Sequence, residues 1–66
     1  MAVAKIIEVT ATSGDSFEHA IQQGIEKAGE TVRNIKGAWV KEQKVIVSEG
    51  AISGYRVDLK VTFVLD

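Results

Sequence analysis

The spacing of apolar residues along this chain switches from alternation to a helical repeat and back to alternation. Val3, Lys5, Ile7, Val9 and Ala11 share one parity in a stretch rich in β-branched residues, so Val3 to Thr12 is predicted to be a strand. Thr12-Ser13-Gly14-Asp15-Ser16 then breaks the pattern with hydroxyls and an acid. Ser13 is the expected N-cap of a helix, with Asp15 near the positive end of its dipole. Phe17, Ala20, Ile21, Gly24, Ile25, Ala28 and Val32 recur at spacings of three and four, which predicts a helix over Asp15 to Val32. Its other face carries Glu18, His19, Gln22, Gln23, Glu26, Lys27 and Glu30. Gly24 sits on the apolar stripe, where the missing side chain lets the helix approach a sheet at a propensity cost of about 1 kcal/mol. Gly29 is expected to fray the helix end rather than break it.

After Asn34 the period returns to two. Ala38, Val40 and Ile46 fall on one parity, and Gly37, Trp39, Lys41, Gln43, Val45 and Val47 on the other. A turn is expected within Ser48 to Gly54, centred on Glu49-Gly50. The last strand is the clearest element: Tyr55, Val57, Leu59, Val61, Phe63 and Leu65 alternate with Arg56, Asp58, Lys60, Thr62 and Val64. A helix between strands one and two lets them run parallel, whereas the short turn makes strand three antiparallel to strand two. Placing strand three in the middle makes every neighbouring pair antiparallel. The fold class is therefore α+β: one β-α-β-β domain over residues 1–66, with a three-stranded antiparallel sheet and one helix on one face. The second face is left for water, a ligand or other subunits.

Size sharpens that choice. A chain of 66 residues and 7.1 kDa buries only about 60% of the surface its unfolded form exposes, so its core is marginal alone. The absence of cysteine removes disulfides, thiolate zinc sites and cysteine nucleophiles, and a single histidine, His19, builds no histidine-rich metal cage. Association with copies of itself is the remedy left. The net charge of −1 includes no block of like charge that would grip nucleic acid. No apolar run approaches the roughly 20 residues of a membrane span, and the lack of a leader pattern favours a cytoplasmic protein.

Trp39 is the most informative single residue. By parity it lies opposite the helix-facing Ala38 and Val40, on a face carrying Lys41, Gln43, Arg56, Asp58 and Lys60. A tryptophan buries about 200 Å² when covered, so on a polar sheet face it reads as a subunit-contact anchor or as a stacking surface for a planar ligand. Arg56 points to the same side. Its partners are Asp58, Glu42 or a neighbouring chain's carboxylate, or else a phosphate or ligand carbonyl. Ser13, Ser16, Asp15 and His19 contain the residue types of a hydrolase triad, but no strained elbow or oxyanion hole is implied. Capping accounts for the serines and solvent for the histidine. Glu8, Glu42, Glu49, Asp58 and Asp66 lack the spacing of a calcium loop, although carboxylates from several chains could meet a metal on a symmetry axis. No enzyme is expected.

Taken together, Lys5-Ile6-Ile7-Glu8-Val9, Thr12-Ser13 with Ser16-Phe17, Ala20-Ile21, Ile25, Ala28, Thr31-Val32-Arg33-Asn34, Tyr55-Arg56 and Val61-Thr62-Phe63 make a chain that resembles the dodecins over nearly its whole length. The resemblance implies a hollow homododecamer with helices outside and sheet faces inward. It also implies flavin binding or storage, with riboflavin or FMN as the cofactor of such a flavoprotein. The expected ligand-binding residues are Gly37, Trp39, Arg56, Lys5 and Glu42, with no metal. In flavin-binding dodecins a tryptophan at the start of strand two stacks on the isoalloxazine ring. Aligned through Thr31-Val32-Arg33-Asn34 that position falls on Gly37, and Trp39 follows about 6.6 Å along the same strand face. The family's ligand-bonding glutamine falls on Arg56, which donates hydrogen bonds but accepts none. Weakened flavin affinity is expected. The alternative is a shell without flavin, with a structural, ion-binding or other small-molecule role.

Overall fold

The computed structural model describes residues 3–65. The chain runs β1 (Val3–Ser13), α1 (Phe17–Ala28), β2 (Ile35–Ser48) and β3 (Ala51–Leu65), and the sheet order is β1-β3-β2 with both pairings antiparallel. This is the expected α+β architecture with the last strand central. β1 and β3 pair without a break from Val3↔Leu65 to Ser13↔Tyr55. β2 is less regular, with register shifts at Ile35/Gly37, Val40/Glu42 and Ile46/Val47.

Alternation on β3 organises the core. Val57, Leu59 and Val61 are fully buried, Phe63 nearly so, and all four face α1. Ala20 joins them from the helix, with Phe17, Ile21 and Ile25 packed around and Ile7, Val9 and Ala11 contributed by β1. Tyr55 closes one end through an edge-to-face contact with Phe17, with ring centroids 5.1 Å apart. The helix packs on β1 and β3. It leaves most of β2 uncovered, so Val40 is exposed although it pairs with buried Leu59.

The helix is shorter than its apolar stripe. Its N-cap is Ser16, whose Oγ accepts the His19 N–H at 3.0 Å, and not Ser13. Ser13 still belongs to β1, paired with Tyr55, and a residue held in a ladder is not free to cap. Asp15 consequently precedes the helix, and Glu18 is the acid of its first turn. At the other end Gly29 is the C-cap, so the helix stops there rather than fraying on to Val32. The Thr31 and Val32 N–H groups both turn back to the Ala28 carbonyl, at 3.1 and 3.0 Å, and the Thr31 hydroxyl donates to it at 3.2 Å. These bonds satisfy a helix-end carbonyl for which a further turn would otherwise supply the donor. Twelve residues rise about 18 Å, against the 27 Å expected of the longer span.

β2 and β3 run directly into their turn. Ser48 pairs with Ala51, and the two residues between them, Glu49 and Gly50, both have positive φ (52° and 78°). That is the two-residue hairpin geometry whose twist suits the flanking strands. The turn centre is the expected one, but β3 begins at Ala51 instead of Tyr55. Beyond the end of β1 the hairpin continues as a two-stranded arm that leaves Ile46, Val47 and Ile52 exposed. The subunit is accordingly elongated, 51 × 19 × 14 Å.

Candidate functional site

The sheet face turned away from α1 is built in rows, because directly paired residues share a face. Ile6, Thr62 and Gly37 form one row, Glu8, Lys60 and Trp39 the next, then Thr10, Asp58 and Glu42, then Thr12, Arg56 and Lys44. Trp39 is 61% exposed there. The Lys41 ammonium crosses β3 to reach Glu8 Oε1 at 3.5 Å, passing the Lys60 row. Thr10 donates to Asp58 Oδ1 at 3.0 Å, and Arg56 Nε lies 4.0 Å from the same oxygen. These pairs are substantially exposed, so each contributes little to stability.

The bulge at Val40/Glu42 decides who belongs to this face. Strict alternation places Gln43 beside Trp39 and Lys44 on the helix side. Instead Gln43 pairs with Val57 and therefore lies on the helix side, while Glu42 and Lys44 join Asp58 and Arg56. An extra residue in one strand inverts the parity of everything after it. Lys44 escaped sequence reasoning for that reason, and nothing in the local sequence marks Lys41 as the extra residue.

Of the residues expected to bind a ligand, Gly37, Trp39, Arg56 and Glu42 share this face. Lys5 pairs with Phe63 and so sits on the opposite face. Gly37 and Trp39 are in adjacent rows, with open space where a side chain at position 37 would begin. Both border a shallow depression with Lys36, Ala38 and Thr62. Glu42 and Arg56 border a second one with Gln43, Lys44 and Asp58. The Trp39 row and Arg56 lie four positions apart on β3, about 13 Å along the strand between backbone positions.

His19 is tied in rather than merely solvated. Its Nδ1 lies 2.6 Å from Ser13 Oγ and 3.3 Å from Asp15 Oδ2. A hydrolase triad places the acid on one ring nitrogen and the nucleophile on the other. Here both crowd the same nitrogen, and the buried Ser13 Oγ also accepts the Asp15 N–H at 2.9 Å. The cluster latches the end of β1 to the first turn of α1. Among the described residues no group of three or more His, Asp or Glu side chains converges as a metal site. Asp66 lies outside the described residues. No helix among them is long and apolar enough to cross a membrane.

The fold is that of a small α+β protein with one sheet face left uncovered and bearing a tryptophan. The chain belongs to the dodecin family, whose pattern it matches over residues 3–66. It is 35% identical over 63 residues to the protein named calcium dodecin from Mycobacterium tuberculosis, covering 96% of this chain and 89% of the relative. It is 34% identical over 64 residues to the dodecin of Thermus thermophilus, covering 97% and 93%. An arginine-to-alanine mutant of the Thermus thermophilus dodecin superposes with a TM-score of 0.93 at 33% identity, over 100% of this chain and 98% of the other. The Mycobacterium tuberculosis calcium dodecin, whose crystal structure is described as having a novel calcium-binding site, superposes at 0.82 and 35% identity over 97% and 91%.

Proposed function

We propose that this chain assembles into a closed homododecamer that binds or stores a flavin, riboflavin or FMN, without catalysing a reaction on it. The observation that carries this reading is the 61% exposure of Trp39 on the uncovered sheet face, beside the side-chain-free Gly37. A large aromatic surface left in water is a strong driving force for association or stacking. A flavin, when bound, supplies a planar redox-active ring. The part of this chain is to stack Trp39 on it and to offer Arg56 donors to its carbonyls or to a phosphate. The backbone positions of those two residues stand about 13 Å apart along the sheet within a subunit. The absent side chain at Gly37 and the absence of an acceptor at Arg56 both weaken the site relative to one holding a tryptophan and a glutamine. Titrating riboflavin against the purified assembly and following the quenching of its fluorescence tests the ligand, and native mass spectrometry tests the subunit number. No quenching at millimolar protein would rule flavin out.

The name of the Mycobacterium tuberculosis relative favours one second reading, a shell that binds calcium. Calcium takes six to eight oxygen ligands. The row of Thr10, Asp58 and Glu42 supplies too few in one chain, so carboxylates from several subunits would have to converge. Calorimetric titration with calcium of the chelator-treated protein separates the two readings.

A further inference from the structure

The row that carries Trp39 holds polar groups that no role has yet absorbed. Across the sheet Trp39 pairs with Lys60, and Lys60 with Glu8. From the bulge on β2 the Lys41 ammonium reaches over the same face to within 3.5 Å of Glu8 Oε1. That contact is long, and both side chains are about half exposed, so it adds little to stability. It engages Oε1 alone, and Lys60 makes no ion pair among the described residues. Trp39 therefore shares its row with one carboxylate and two ammonium groups. A carboxylate accepts hydrogen bonds and donates none, whereas an ammonium donates and accepts none. Arg56 stands two rows further on, so these are the polar groups nearest to a ring on Trp39.

We propose that Glu8, with Lys41 and Lys60 beside it, reads the imide edge of the planar ring that Trp39 stacks. Glu8 accepts the ring N–H, and the lysines donate to the carbonyls that flank it. This rests on the flavin reading above and gives it the hydrogen-bond acceptor that Arg56 lacks. Two strand spacings separate the backbones of Trp39 and Glu8, about 10 Å, which a tricyclic ring is long enough to bridge. The ligand class follows from the donor and acceptor order. Rings with an unsubstituted imide fit, and rings alkylated at that nitrogen do not, because the carboxylate then faces a methyl group and is left unpaired. A charged acceptor makes the discrimination sharper than a neutral amide would. Glu8 is thus the specificity-determining residue of the face.

Titrating riboflavin and N3-methylriboflavin against the unmodified protein, with quenching of ligand fluorescence as the readout, tests it. The methylated ring should bind about tenfold more weakly or worse. A methyl group also adds bulk, so the comparison is repeated in Glu8→Leu. There the two ligands should bind within about threefold of each other, because riboflavin has lost its acceptor, whereas a purely steric penalty would persist. Lys41→Met should weaken both ligands alike, since methylation leaves the carbonyls in place. Should Glu8→Leu not fold, the isosteric Glu8→Gln decides: its neutral acceptor should cut the preference for riboflavin about threefold. Equal affinities in the unmodified protein overturn the proposal, as does a preference that survives either Glu8 variant unchanged, and the flavin reading then stands. Quenching of neither ligand by the unmodified protein removes the flavin reading and this proposal with it, so the two failures are distinguishable.

Discussion

Gly24 of α1 lies so close to Leu59 of β3 that a Cβ built on the glycine would come within 2.9 Å of the Leu59 Cδ1, and within 3.3 Å of the Ala11 Cβ. The helix can sit this low over the sheet only because position 24 has no side chain. Leu59, 1% exposed, in turn fills the space beneath it.

Gly24→Ala should therefore destabilise the protein by about 1–3 kcal/mol, since overpacking a tight core outweighs the gain of about 1 kcal/mol in helix propensity. Chemical denaturation of the assembled protein measures it. The double variant Gly24→Ala, Leu59→Val should recover part of the loss. A Gly24→Ala protein as stable as the parent would mean the contact relaxes freely.

Leu59→Ala and Phe63→Ala should each cost about 2–5 kcal/mol per subunit, Leu59 being the worse because it is wholly enclosed. Thermal denaturation ranks them. Losses below about 0.5 kcal/mol at both positions would be incompatible with the alternation of buried and exposed residues along β3.

Ser16→Ala should destabilise α1 by about 1 kcal/mol through loss of its cap. Ser13→Ala should act differently, freeing the Asp15 N–H and the His19 ring together and loosening the β1–α1 junction. Amide hydrogen exchange reports this directly. The expected outcome is faster exchange confined to the start of the helix in both variants, with the Asp15 amide most affected by Ser13→Ala.

Gly37→Trp should tighten riboflavin binding by about ten- to a hundredfold, from stacking contacts of about 0.5–1.5 kcal/mol each beyond the area they bury. There is room for the new side chain to leave the backbone. Trp39→Ala should abolish whatever quenching the parent shows. Unchanged quenching in a particle that falls apart would make Trp39 an assembly anchor instead.

The hairpin offers a test of backbone geometry. Glu49 occupies a positive-φ position that L-residues enter at a cost, so Glu49→Asn should stabilise the turn by a few tenths of a kcal/mol, and Gly50→Ala should destabilise it by about 1 kcal/mol or more. Differential scanning calorimetry resolves both signs.

What the sequence determined by itself is whatever depends on short-range periodicity. The alternation from Val57 to Phe63, the stripe from Phe17 to Ala28 and the Glu49-Gly50 turn each follow from which residues must leave water locally. From them come the element order, the central place of β3 and an uncovered face bearing Trp39 and Arg56. The tertiary structure decided what depends on partners distant in the chain. Ser13 lost the cap to Ser16 because Tyr55 holds it in the ladder. Gln43 lost its place beside Trp39 because β2 slips by a residue against β3, and the same slip brought Lys44 to Arg56. A bulge is a compromise between two strands over their whole length, so neither strand's own sequence contains it. The charge rows on the candidate face exist only once that compromise is made.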